Sequence, residues 1–303
     1  MRFGFLVSAA SLAIPAGMAH ADYTLHVLHT NDLHSRIESV NKYDSNCNAE
    51  GEAKGECFGG VARVATKITA LRDEIRAAGG NVIVLDAGDQ FQGSLMYTTY
   101  KGAVEAEMME KIGYDVMAVG NHEFDDGPDG LRAFTNTVSF PVISGNLDLS
   151  RSNTLNGLVK NHAVLEVGGE KIGIISVLAT DTVDTSSPGP DVVFQDEADS
   201  LRADVAALTA EGVTKIIALT HVGVKKDMAL AGEVAGLDAV VGGHSHTKFS
   251  NTEDGAMAYP TMVGAVPVVS AYAYSKYLGH LVLSFDDEGT LIKAEGDTIL
   301  LDA

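Results

Sequence analysis

Five short apolar runs end in the same kind of chemistry, and that recurrence limits the folds open to this chain. TLHVLHT runs into Asn31-Asp32-Leu33-His34, NVIVLDAG into Asp89, and YDVMAVG into Asn121-His122. KIIALTH ends on His221, and LDAVVGG is followed by His244-Ser245-His246. Runs of this length, apolar almost throughout, read as strands buried on both faces. Amphipathic segments separate them. Residues 61–78 place Val61, Val64, Ala65, Ile68, Leu71 and Ile75 on one helical face. Residues 103–112 and 197–212 also read as helices, the second stopped by Gly212, and a short helix fits between 221 and 237. FPVISGN (140–146) reads as a strand, 162–177 as a hairpin turning at Gly168-Gly169, and 186–191 as a breaker-rich loop. The end of the chain is β-rich and closes in a second hairpin. This order predicts an α/β fold with helices on both faces of the strands. No linker, repeat or low-complexity tract divides it, so residues 22–303 read as one domain.

The polar residues that end the strands form a coherent set. In an open α/β sheet, ligands collect outside the carboxyl ends of the strands. Loops from separate strands would then bring together Asp32, His34, Asp89, Asn121, His221, His244 and His246. Imidazoles and carboxylates suit zinc, manganese or iron. Seven donors exceed what one tetrahedral ion takes and suit two divalent ions with a shared ligand, for which Asp89 is the candidate. Glycines 88, 120, 242 and 243 let the backbone turn close to such a site. His122 directly follows Asn121, so it does not aim at the same ion. Asp125, three residues on, can orient it. A carboxylate-held imidazole there suits proton donation to a leaving oxygen or stabilisation of a transferring phosphoryl group; the alternative is a strut supporting the ligands. His26, His29, His162 and His280 lie in strands and read as structural, and Met108, Met109 and Met117 as core.

Charge and cysteine usage set outer limits. The formal net charge is −20, which excludes a nucleic-acid backbone as partner, because nothing basic is available to neutralise phosphates. The same acidity hinders a small anionic substrate unless divalent cations relieve it locally. Arg2, the apolar stretch from Phe3 to Ile14 and the small residues ending at Ala21 predict a cleaved leader over 1–21, hence an exported, periplasmic or extracellular protein. The apolar part is too short to span a bilayer. Two cysteines, Cys47 and Cys57, flank a polar loop. Export permits a disulfide between them, worth about 3 kcal/mol in the chain-entropy account; a metal pair is the other reading, although no further ligands lie nearby.

The segments LHTNDLHSR, LDAGDQFQGS, AVGNHEFDDG, ALTHVG and VVGGHSH resemble the calcineurin-like metallophosphoesterases, specifically the 5'-nucleotidase family and its ecto branch. CFGGVAR, SPGPDVVFQDE and VPVVSAYAYSKYLG are similar to that branch as well. The resemblance runs from about Tyr23 to the C-terminus. It implies a four-layer sandwich of two β-sheets flanked by helices. It also implies one divalent metal on Asp32, His34 and Asp89 and a second on Asp89, Asn121, His221 and His244. Relatives carry His, Gln or Asn at the position of His246, as a ligand or a nearby polar group. His122 and Asp125 match the family's catalytic pair, and the cysteine loop resembles a disulfide loop; in such a reaction Asn121 and His122 would contact the phosphate and steady the charge that develops on it. The implied activity is hydrolysis of nucleoside 5'-monophosphates such as AMP with two ions such as zinc or manganese. The alternative is a broad-specificity phosphoesterase acting on cyclic nucleotides, sugar nucleotides or simple esters. A binder without turnover would not need His122 and Asp125. Family members usually continue into a nucleoside-binding domain; this chain stops at DTILLDA, so it reads as a fragment or a one-domain phosphatase in which nucleoside specificity is not encoded.

Overall fold

The apolar runs pair into two sheets laid face to face. The computed structural model describes Met1 and residues 23–302; apart from Met1, the predicted leader lies outside the described residues. In chain order the strands are β1 (Tyr23–Thr30), β2 (Asn81–Asp86), β3 (Val116–Ala118), β4 (Val142–Ile143), β5 (Leu147–Asp148), β6 (His162–Val167) and β7 (Glu170–Ile175). They continue as β8 (Val193–Phe194), β9 (Lys215–Thr220), β10 (Ala239–Gly242), β11 (Thr261–Val263), β12 (Val266–Val269), β13 (Tyr277–Phe285) and β14 (Leu291–Leu300). The helices are α1 (Ala49–Lys54), α2 (Val61–Ala77), α3 (Leu95–Tyr100), α4 (Ala103–Ile112), α5 (Gly127–Thr135), α6 (Thr182–Thr185), α7 (Glu197–Ala210) and α8 (Val224–Glu233).

One six-stranded sheet runs β14-β13-β1-β2-β3-β4, and the other β11-β12-β10-β9-β7-β6. The strands β1 to β4 are mutually parallel, as are β7, β9, β10 and β12. All the polar strand ends named above therefore lie at carboxyl ends of parallel strands. Between the sheets, Leu25, Val27, Ile83 and Leu85 pack with Ile172, Ile174, Ile217, Leu219 and Val241. On the outer face of the first sheet, Leu28, Val82 and Val84 meet Ile68 and Ile75 of α2 and Met109 and Ile112 of α4. On the outer face of the second, Ile175, Ile216, Ala218 and Val240 meet Leu201 and Leu208 of α7 and Leu230 of α8. The layers are helix, sheet, sheet, helix, as the resemblance implies. Burial on both faces is why the strands lack polar alternation.

Some local readings change. The stretch 140–146 is not one strand. Only Val142–Ile143 pairs in the first sheet, because Gly145 N donates to Ser176 O and the Asn146 side chain bonds Leu178, drawing the chain toward the second sheet. Helix α1 forms inside the cysteine loop, where Asn48 Oδ1 accepts from Gly51 N at 2.8 Å. Cys47 and Cys57 are disulfide-bonded with Cα atoms 5.7 Å apart, which settles their pairing. The strand histidines have partners of their own: His29 lies 2.7 Å from Tyr259 Oη, His26 lies 2.9 Å from His280, and His162 lies 3.2 Å from Asp204. Met109 and Met117 are core, whereas Met108 is only half-buried. Replacing Ile217 with Ala should cost about 2–5 kcal/mol of stability in a denaturant titration; the exposed Met262→Ala should stay within about 0.5 kcal/mol.

Candidate metal centre

The ligand loops are tied to one another before any ligand is considered. Asp32 N donates to Gly88 O at 2.9 Å, His34 N to Asp89 O at 3.0 Å, and Ser35 N to Gln90 O at 2.8 Å, so the loops after β1 and β2 run together. The second sheet joins through His221, whose Nδ1 lies 2.7 Å from Ala87 O, and through His244 N, which donates to Asp32 Oδ2 at 3.0 Å. Gly243 is required at this crossing: a Cβ there would fall 2.9 Å from His221 Nδ1 and 3.0 Å from Asp32 Oδ2. Asp32, His34, Asp89, His244 and His246 all hold left-handed backbone, with φ of 52°, 50°, 59°, 77° and 47°. Such residues cost free energy individually and gather where function fixes their geometry.

The side chains converge in three groups whose candidate ligand atoms lie within 4.8 Å of one another: Asp32, His34 and His246; His34, Asp89 and His122; and Asp89, His221 and His244. Asp89 Oδ2 lies 3.1 Å from His221 Nε2 and 3.9 Å from His34 Nε2. Asn121 Oδ1 lies 3.2 Å from His221 Nε2 and 2.8 Å from His244 Nδ1. The Nε2 atoms of His34 and His246 are 2.9 Å apart, and His246 Nε2 is 3.3 Å from Asp32 Oδ1. Two nitrogens and the carboxylates crowd one point, a donor set that suits a cation in each half of the cluster. The ring of His122 belongs to the second of these groups but is also held by a carboxylate of its own. Its Nδ1 lies 2.8 Å from Asp125 Oδ2, whose other oxygen accepts from Ser186 Oγ at 2.8 Å. That leaves Nε2 for a ligand in a cleft of about 360 Å³, which His34, Asp89, Asn121, His244 and His246 also line.

Burial sets the charge states. It lowers the pKa of His34 and of His244, favouring the neutral form that binds metal. Burial opposes charge on His221 too, but the Asp89 carboxylate outweighs it and raises that imidazole to about 10. For His122 burial again works downward, and the Asp125 hydrogen bond with the Asp89 charge carries it up to about 9.

Glu123, inside the AVGNHEFDDG segment, takes a role that only the structure reveals. It is fully buried and its carboxylate collects four backbone donors. Oε2 accepts from Asp89 N at 2.9 Å and Gly120 N at 2.7 Å; Oε1 accepts from Gln90 N at 2.8 Å and Phe91 N at 3.2 Å. One side chain thus sets the loops carrying Asp89 and Asn121. Nothing in the local sequence singles Glu123 out, because it stands among other polar residues, Asn121, His122, Asp125 and Asp126. Asp227, buried in α8, braces the end of β9 in a similar way, accepting from Thr220 Oγ1 at 2.6 Å just before His221.

A sequence profile of the calcineurin-like phosphoesterases matches residues 25–248. The chain belongs to that family. Calcineurin-like phosphoesterases work with a dinuclear divalent metal centre, and the His and Asp groups above fit one. The chain is 44% identical over 296 residues to the 5'-nucleotidase of Diplobatis ommata, covering 93% of this chain and 49% of that protein. It is 42% identical over 313 residues to the 5'-nucleotidase of Mus musculus, covering 99% of this chain and 53% of that protein. The chain spans about half the length of the curated relatives it matches. Among solved structures, the 5'-nucleotidase precursor of Thermus thermophilus superposes with a TM-score of 0.83 at 39% identity, covering 92% of this chain and 55% of that one. The NAD nucleotidase of Haemophilus influenzae gives a TM-score of 0.81 at 31% identity, covering 93% and 51%.

Glu123→Gln should weaken metal binding by about 10–100-fold, because an amide nitrogen would face backbone N–H groups in place of an acceptor. Calorimetric titration with Mn²⁺ measures this; wild-type affinity in the variant would remove the role assigned to Glu123.

Proposed function

We propose that this chain hydrolyses phosphate monoesters, with nucleoside 5'-monophosphates such as AMP as its main substrates. The observation that carries the reading is one carboxylate, Asp89, set among imidazoles from both sheets beside a carboxylate-held His122. The 5'-nucleotidases similar over most of the chain support the substrate class. On this reading Asp32, His34 and Asp89, with His246 alongside, hold one cation, and Asp89, Asn121, His221 and His244 hold the other. Bound divalent cations would supply Lewis acidity toward phosphoryl oxygens and lower the pKa of a water. The rest is done by the chain. Asn121 Nδ2 and His122 Nε2 face the phosphoryl group and stabilise the charge that grows on it. His122 can then pass a proton to the leaving oxygen, while Asp125 fixes its tautomer and orientation.

A broader phosphoesterase is the second reading. It is favoured by the cleft, where Tyr274 is the one Phe, Tyr or Trp ring among the lining residues, so a base has no pair of rings to stack between. Comparable kcat/KM on AMP and p-nitrophenyl phosphate would favour that reading. We further propose that residues 22–303 act as one catalytic domain and that the protein is exported. The Cys47–Cys57 disulfide supports an oxidising compartment, and among the described residues no helix is long and apolar enough to cross a membrane.

Asp89→Asn should lower kcat/KM by at least about a thousandfold, and His122→Ala by about 10²–10⁴-fold, each with a cooperative thermal transition retained. Steady-state rates of phosphate release decide this. Dialysis against a chelator should abolish turnover, and added Mn²⁺ or Zn²⁺ should restore it.

A further inference from the structure

Arg36 closes the LHTNDLHSR segment, and none of the roles above uses it. Its backbone is pinned: N donates to Leu33 O at 3.0 Å and O accepts from Ser275 Oγ at 3.1 Å. Its guanidinium is held by a hydrogen bond and an aromatic face. Nη1 donates to Asn46 Oδ1 at 3.2 Å, and the group sits 5.5 Å from the centre of the Tyr274 ring. Nε is buried without a hydrogen-bond partner, and the hydrogen bond from Nη1 goes to the Asn46 amide oxygen, not to a carboxylate. Arginines with structural roles here look different. Arg72 donates to Ile112 O and Gly113 O, and Arg63 pairs with Glu52 at 2.9 Å.

The isolation matters because of where it occurs. The sequence carries 41 Asp and Glu against 21 Lys and Arg, so a guanidinium without a carboxylate runs against the composition. Arg36 is the one arginine or lysine lining the cleft beside His34, Asp89, Asn121 and His122. Tyr274 sets its distance from the cluster, with its ring centre 5.1 Å from that of His246 and 5.6 Å from that of His34. Asn46, the anchor on the far side, is next to disulfide-bonded Cys47. A planar cation held on an aromatic face with free donors suits an incoming oxyanion.

We propose that Arg36 is a substrate-binding residue whose guanidinium takes an oxygen of the phosphoryl group on the metal cleft. This rests on the phosphomonoesterase reading above and adds a cation supplied by the chain itself. The test compares wild type, Arg36→Ala and Arg36→Lys after metal loading. Four quantities are read: KM and kcat for AMP, the affinity for inorganic phosphate by calorimetry, and metal content by elemental analysis. Arg36→Ala should raise KM and the phosphate dissociation constant by about tenfold or more, with wild-type metal content. The loss should fall on KM more than on kcat. Arg36→Lys should recover only part of it, because an ammonium lacks the planar fork. Unchanged phosphate affinity in Arg36→Ala overturns the proposal, as does an affinity that falls only in step with lost metal. If the alanine variant fails to fold, Arg36→Gln gives the same readouts. A wild-type protein that turns over neither AMP nor p-nitrophenyl phosphate removes the phosphomonoesterase reading, and phosphate affinity then still decides Arg36.

Discussion

The carboxylate of Asp89, set among imidazoles from both sheets, is the contact on which the site depends. It is buried, it lies 3.1 Å from His221 of the opposite sheet, and its other oxygen accepts from His122 N at 2.9 Å. Burying a carboxylate without compensation is costly. Burial opposes its charge, but the imidazoles of His221, His34 and His122 outweigh burial and hold the carboxyl below its ordinary range. A divalent cation on each side would meet the same demand more strongly. The loop that carries Asp89 is therefore fixed twice, by Glu123 beneath it and by the loop of Asp32 and His34 beside it.

The fold makes that meeting possible. Two mostly parallel sheets pack face to face, so the carboxyl ends of β1, β2 and β3 lie opposite those of β9 and β10. The apolar interior between them holds the two halves in register. The cluster is pre-organised, because the left-handed backbone at five of its members is stabilised by packing and hydrogen bonds already present. Preset geometry of this kind is what a cation pair and a phosphoryl group require.

Much of this could be read in the sequence because the relevant residues follow directly from strand ends. Apolar runs locate the strands, topology places their carboxyl ends together, and the residues just beyond are Asp32, His34, Asp89, Asn121, His221 and His244. What stayed hidden acts through long-range contacts or backbone geometry. Glu123 works on four main-chain donors, three of them some thirty residues away along the chain. The split of 140–146 depends on Ser176 and Leu178, which follow β7 of the other sheet. Helix α1 is capped by Asn48 within a loop whose composition suggests only polarity. Nothing in residue type alone reveals positive φ at Asp32 or His246.

Anomalous diffraction from zinc-loaded crystals tests the central claim most directly. Two peaks should appear, one on each side of Asp89, each with a carboxylate oxygen of that residue within about 2.0–2.2 Å. One ion should sit toward Asp32 and His34, the other toward His221 and His244. No peak at the cluster, or ions placed so that Asp89 touches neither, would contradict the account.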